Sequence, residues 1–248
     1  MATDAEKPAM RAAPICSALL FVFALAGCSE GRAPSEQLRD ATERLVEEAA
    51  GETMLEGAAG PYAPRDECAG LPGAAAFRRE LSGAVEARDA DALLKLAAPD
   101  VKLDFGGGFG AEELRRRLDT PDAALWQELA ALLPLGCAAE GQASMTIPWY
   151  FAQPIDEVDP MTGMMVTGRN VPVRVTAAAD AEPVHEVSWN VVELVGGYVP
   201  NAPFQHVATV DGTRGYIATD RLRSLIDYRL IASSRDGKWS ITSLVAGD

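Results

Sequence analysis

The chain has little with which to do chemistry. It carries two histidines and four cysteines in 248 residues. His185 and His206 stand in separate β-rich runs, without the close spacing a metal site uses. There is no Gly-x-Ser-x-Gly elbow and no cysteine–histidine pair of hydrolase spacing. The sequence therefore nominates no catalytic residue, metal or cofactor, and is read as a non-enzyme. Positive charge is scarce too. Lys and Arg total 22 against 36 Asp and Glu, for a net charge of -14, and no Lys/Arg-rich run interrupts the acidic background. Such a surface repels phosphate backbones, which argues against nucleic acid as a partner. Asp104-Phe105-Gly106 lacks every companion of a kinase magnesium motif and reads as a strand end running into a glycine turn. Asp156, Glu157 and Asp159 lack the glycine and the closing glutamate of a calcium loop, and read as a solvated acidic stretch. Aromatics make up 6%, so the run Trp149-Tyr150-Phe151 stands out, as a core anchor or an inter-domain joint.

One long apolar run exists, residues 13–27, uncharged and ending in small residues. It falls short of the ~20 residues that span a bilayer and has the length of a signal-peptide core. It closes on Leu25-Ala26-Gly27-Cys28, which resembles the bacterial lipobox. That resemblance implies cleavage before Cys28 and acylation of its sulfur, so that the bilayer is held through the acylated Cys28. Asp4 and Glu6 sit where a signal should be positive, whereas Met10-Arg11 leads straight into the run, so translation is expected to start at Met10. Ser29 rather than Asp follows the cysteine. By analogy with lipoprotein sorting this favours the outer membrane, with the body facing the periplasm.

The chain divides into a signal (1–27), a lipidated tether and loose arm (28–73), a helical α+β region (74–163), a barrel (164–224) and a C-terminal β-hairpin (225–248) that could complete the α+β sheet. Within the arm, Ser35 caps a helical pattern of Leu38, Ala41, Leu45 and Ala49. Phe77, Leu81, Ala84 and Val85 share one face of a helix, and Asp89 or Asp91 caps a second, which Pro99 stops. Val101, Leu103 and Phe105 alternate as a strand. A third helix covers Ala111 to Leu118. Thr120 is expected to cap a fourth, with Pro121 at its first position and Leu125, Leu129, Leu132 and Leu133 buried. From Ser144 onward short β-rich runs alternate with turns such as Asp211-Gly212 and Asp236-Gly237. Helices first and strands after is an α+β layout.

Residues 164 to 224 resemble a bacterial SH3-like domain. Asn170-Val171-Pro172-Val173-Arg174 is similar to that family's opening, Val191-Val192-Glu193-Leu194 to its central strand, and Asp211-Gly212-Thr213-Arg214-Gly215-Tyr216-Ile217 to its closing element. The resemblance implies a small β-barrel with Tyr216 packed inside. It also implies a shallow groove for peptidoglycan or an envelope protein, contacted by Tyr198, Phe204 and Tyr216. Phe204 stands where the family usually has Trp. Residues 74–134 with the last hairpin resemble a cystatin-like cone fold. This implies an alternative function, a small-ligand or enzymatic pocket lined by Phe77, Phe105, Trp126 and Trp149.

Cys16 leaves with the signal and Cys28 is consumed by lipid, so Cys68 and Cys137 remain. In an oxidising compartment they are expected to pair, closing a loop of about 70 residues, the alternative being two buried free thiols.

Overall fold

The structure is a computed structural model that describes residues 60–247. The apolar run, Cys28 and the helical pattern from Ser35 lie outside the described residues. Among the described residues there are four α-helices, with the first strand between the second and the third. The apolar stripe of α1 (Ala74–Ala87) buries Phe77, Leu81, Ala84 and Val85. Asp89 caps α2 (Ala90–Leu96), its carboxylate accepting from the Ala92 amide at 3.0 Å. After β1 (Ala97–Lys102) and a glycine turn comes α3 (Ala111–Leu118), acidic in its first turn and basic in its last, as the helix dipole favours. The fourth helix, α4 (Ala124–Leu132), begins later than Thr120 and Pro121 suggest. Thr120 donates instead to the Arg117 carbonyl, and Ala123 turns left-handed at φ 52°. The bend lets the Trp126 indole reach the Leu118 carbonyl at 3.1 Å. Two short strands follow, β2 (Ala138–Ala139) and β3 (Ser144–Ile147). Then come β4 (Gly163–Val166), β5 (Val171–Arg174), β6 (Pro183–Val187), β7 (Val191–Leu194), β8 (Phe204–Thr209), β9 (Arg214–Ala218) and β10 (Leu222–Ser224). A last hairpin pairs β11 (Arg229–Arg235) with β12 (Lys238–Val245) through Asp236-Gly237.

These strands form two sheets, so the fold is α+β. The first sheet has the order β1-β12-β11-β3-β2, with β1 parallel to β12 and the rest antiparallel. The C-terminal hairpin thus sits at the centre of a sheet whose other strands come from residues 97–147. All four helices share one core with it: Leu81, Leu93, Leu114, Leu129 and Leu132 meet Met145, Ile147, Leu230 and Ile241. Helices as short as α2 and α3 are marginal alone, and this shared burial stabilises them. Truncating any one of those leucines costs about 2–5 kcal/mol.

The second sheet is antiparallel throughout, in the order β10-β4-β7-β8-β9-β5-β6. Its inward residues, among them Val166, Val173, Val192, Val207 and Ile217, pack on one another, so the sheet curls around its own core. The edge strands β10 and β6 are not hydrogen-bonded together, so no ladder closes it into the expected barrel.

Between the sheets lies a third cluster, in which Trp149 and Tyr150 meet Tyr62, Leu135, Met165, Val191 and Leu225. The dense aromatic run is the joint of the molecule. Arg223, buried on β10, adds a polar link by reaching Glu128 of α4 at 3.6 Å and Asp227 at 3.4 Å.

Residues 60–73 are not the loose arm their composition suggests. Tyr62, Cys68 and Leu71 are buried. The Tyr62 amide donates to the Trp189 carbonyl in the β6–β7 connection, and the Glu67 and Cys137 amides bond across to the Cys137 and Arg65 carbonyls. Gly60 lies so close to Ser188 that an added Cβ would sit 1.7 Å from its carbonyl oxygen, which leaves glycine as the residue that fits.

Candidate ligand groove

The outer face of the second sheet carries a groove built from three of its strands and the turns beside them. β8 alternates half-buried Phe204, His206 and Ala208 with inward Gln205, Val207 and Thr209. On β9 the inward positions are Gly215 and Ile217, so Tyr216 and Ala218 face out. On β5, Pro172 and Arg174 face out. The register aligns Arg174 with Tyr216 and Tyr216 with His206, and beside them Phe204 with Ala218. Tyr216 stacks on His206 at 4.9 Å between ring centroids. β5 approaches β9 this closely because position 215 is glycine: a Cβ there would lie 2.6 Å from the Arg174 carbonyl oxygen.

Beside this rung opens a groove of about 380 Å³. Pro172, Arg174, Phe204 and Ala218 line it from the strands. The β4–β5 turn adds Arg169 and Asn170, the short turn before β10 adds Asp220 and Arg221, and Ala179 comes from the β5–β6 connection. Each wall is fastened. Ser188 Oγ accepts from the Asn170 amide at 2.8 Å, and the Thr167 amide donates to the Arg221 carbonyl at 2.8 Å. Arg174 Nη1 donates to the Ala181 carbonyl at 2.6 Å. Among the described residues, no carboxylate forms an ion pair with Arg169, Arg174 or Arg221. Three arginines thus line a groove that also holds half-buried Phe204, on a protein of net charge -14.

Of the three aromatics the sequence nominates, Phe204 lines this groove. Tyr216 occupies the adjacent rung, on the outer face and not in the core, because the inward positions of β9 are held by Gly215 and Ile217. Tyr198 is 52% exposed on the loop before β8 and is not part of the groove wall. That loop is pinned by buried Gln205, whose carboxamide accepts from the Val199 amide at 2.9 Å and donates to the Val199 carbonyl at 2.9 Å and to Thr219 Oγ1 at 3.2 Å. The arginines were not nominated. They lie far apart in sequence, and the signal that could have found them is the outward alternation of Arg174 on β5.

Cys68 and Cys137 are fully buried with their sulfur atoms at disulfide distance and their Cα atoms 5.8 Å apart. Asp66 lies near enough to suggest a metal site, but each sulfur faces the other instead of an ion. The four aromatics of the alternative pocket do not converge. Phe77 and Trp126 fill the first core, Trp149 fills the joint, and Phe105 is 48% exposed. Their apolar area packs helices onto a sheet and leaves no shared cavity to line. A larger cleft, of about 500 Å³, brings His185 within 3.8 Å of Asp211. Its one serine, Ser188, spends its hydroxyl on Asn170, and Thr209 donates its hydroxyl to Asp211. Asp104 accepts from the Gly106 and Gly108 amides at 2.8 and 2.7 Å and pairs with Arg117. The Gly108 amide foremost, then Arg117, hold its carboxyl down at about 2. It organises the glycine turn. No family model matches this chain, and no curated protein or solved structure does either.

Proposed function

We propose that the chain is a lipid-anchored envelope protein that binds rather than catalyses. Its acylated Cys28 holds the outer membrane, and the curled second sheet serves as an SH3-like module presenting its outer face to peptidoglycan or to an envelope protein. The observation that carries this reading is the groove in which Phe204 lies among Arg169, Arg174 and Arg221. A concave, partly apolar site with a few convergent polar groups is the usual form of a ligand site. The lipobox supplies the location and the strand motifs from Asn170 to Ile217 supply the module.

The test is co-sedimentation of the full chain, solubilised in non-ionic detergent, with purified sacculi and, in parallel, capture from envelope extract. Binding that Phe204→Ala weakens, while circular dichroism and melting stay unchanged, is the expected result. Retention on neither material refutes the reading, and so does retention that Phe204→Ala leaves untouched.

A further inference from the structure

We propose that the groove selects carboxylate groups, and that its ligand is a short acidic peptide segment. This rests on the groove being the binding site.

The argument begins with charge placement. Arg78, Arg115 and Arg117 are each neutralised by a neighbouring carboxylate, Asp66, Asp91 and Glu113 respectively. Arg169, Arg174 and Arg221 have no such partner among the described residues, though Asp220 stands in the same wall. The three come from the β4–β5 turn, from β5 and from the turn before β10. Their convergence is fixed by the fold, since the Thr167 amide ties one turn to the other and Arg174 is braced on Ala181. A guanidinium presents five donors in a planar fork matched to carboxylate, and Arg174 uses one of its donors internally.

Size and apolar content then decide among anions. A volume of about 380 Å³ exceeds what a bare ion needs and suits a few residues of peptide. Phe204, Pro172 and Ala218 supply an apolar wall for aliphatic or backbone atoms, and Asp220 supplies an acceptor for a peptide N–H. A long polyanion meets the whole surface and its charge of -14, whereas a short segment meets the groove within one Debye length of ~8 Å. Steering is therefore local, and binding weakens with salt.

Fluorescence anisotropy with a labelled tetraglutamate peptide tests this, using the full chain in non-ionic detergent and labelled tetraglutamine as the neutral control. Tetraglutamate is expected to bind at least tenfold more tightly. Arg169→Gln and Arg221→Gln are each expected to weaken it about two- to fivefold, the range for exposed charge pairs. Arg235→Gln, on the exposed β11–β12 hairpin, is expected to change nothing. Equal binding of the two peptides overturns the carboxylate assignment while leaving the groove a binding site. Sacculi that bind through Phe204 while tetraglutamate does not bind also overturn it. If inorganic phosphate competes as well as glutarate, the groove is a general anion site and the peptide assignment falls. Sacculi whose carboxyl groups have been amidated are expected to lose binding if the wall is the source of the peptide. Loss confined to envelope-protein capture identifies a protein source. Failure of every binding experiment brings down the proposed function together with this inference.

Discussion

Removing the Cys68–Cys137 pair is expected to cost the protein a large share of its stability. The two sulfurs lie at disulfide distance across a sequence separation of 69 residues. Closing a loop of that length removes enough entropy from the unfolded chain to stabilise the fold by about 4 kcal/mol, less any strain. Total stability of a domain is typically about 5–15 kcal/mol, so the loss is substantial. The link also has a local role. It lies beside the exchange of hydrogen bonds between Arg65, Glu67 and Cys137 that holds residues 60–73 against the helix end. At about 2–4 °C per kcal/mol for a body of this size, the double variant Cys68→Ala/Cys137→Ala is expected to melt roughly 8–16 °C lower. Both side chains are fully buried, so a modest cavity cost comes on top. The decisive assay is mass spectrometry of protein purified without reductant and alkylated without reduction. Two alkylated cysteines refute the bond. A melting temperature within about 2 °C of the parent, in the double variant or after reduction, refutes the magnitude.

Three further outcomes are expected. A clickable palmitate analogue should label the parent chain in cells and leave Cys28→Ala unlabelled; equal labelling of both removes the lipid anchor. Gln205→Leu strands the Val199 amide and carbonyl, for a loss of about 1–3 kcal/mol in denaturant unfolding and faster amide exchange at Val199; unchanged exchange there refutes the pinned loop. The Asp104 carboxyl is held at about 2, below its ordinary value near 4, so its contribution is fully present above pH ~4 and is lost as pH falls through 2. Amide protection at Gly106 and Gly108, followed by NMR, should collapse in that window in the parent, and should be lost at higher pH in Arg117→Gln.

What the sequence made legible were the elements whose burial follows a local period. The stripe Phe77, Leu81, Ala84 and Val85 is the buried face of α1. The bounds Ala111 to Leu118 coincide with α3. The turn Asp236-Gly237 carries the positive φ angles, 52° and 78°, that its dipeptide favours. Misreadings arose where long-range packing overrode local composition. Gly- and Pro-rich residues 60–73 look loose, yet their backbone donors and acceptors are used by residues 137 and 189. Pro121 looks like the first residue of a helix, but α4 is displaced so that Trp126 can reach Leu118. The SH3-like resemblance implies Tyr216 packed inside a barrel, and the strand parity set by Gly215 turns it outward. The groove arginines carry no local signal, because what assembles them is the pairing of β5 with β9 and of β4 with β10.

The route of the chain at Gly60 has a mechanical consequence. A load applied at Gly60 passes to the Tyr62–Trp189 hydrogen bond at the β6–β7 connection of the second sheet. It continues through the Arg65, Glu67 and Cys137 bonds and the Cys68–Cys137 pair into the helical half. Load is thus shared by both halves around the Trp149 joint, as shear across several bonds rather than peeling of one strand. The groove is reached from that path, because the Asn170 amide in its wall donates to Ser188 Oγ, the residue against which Gly60 packs.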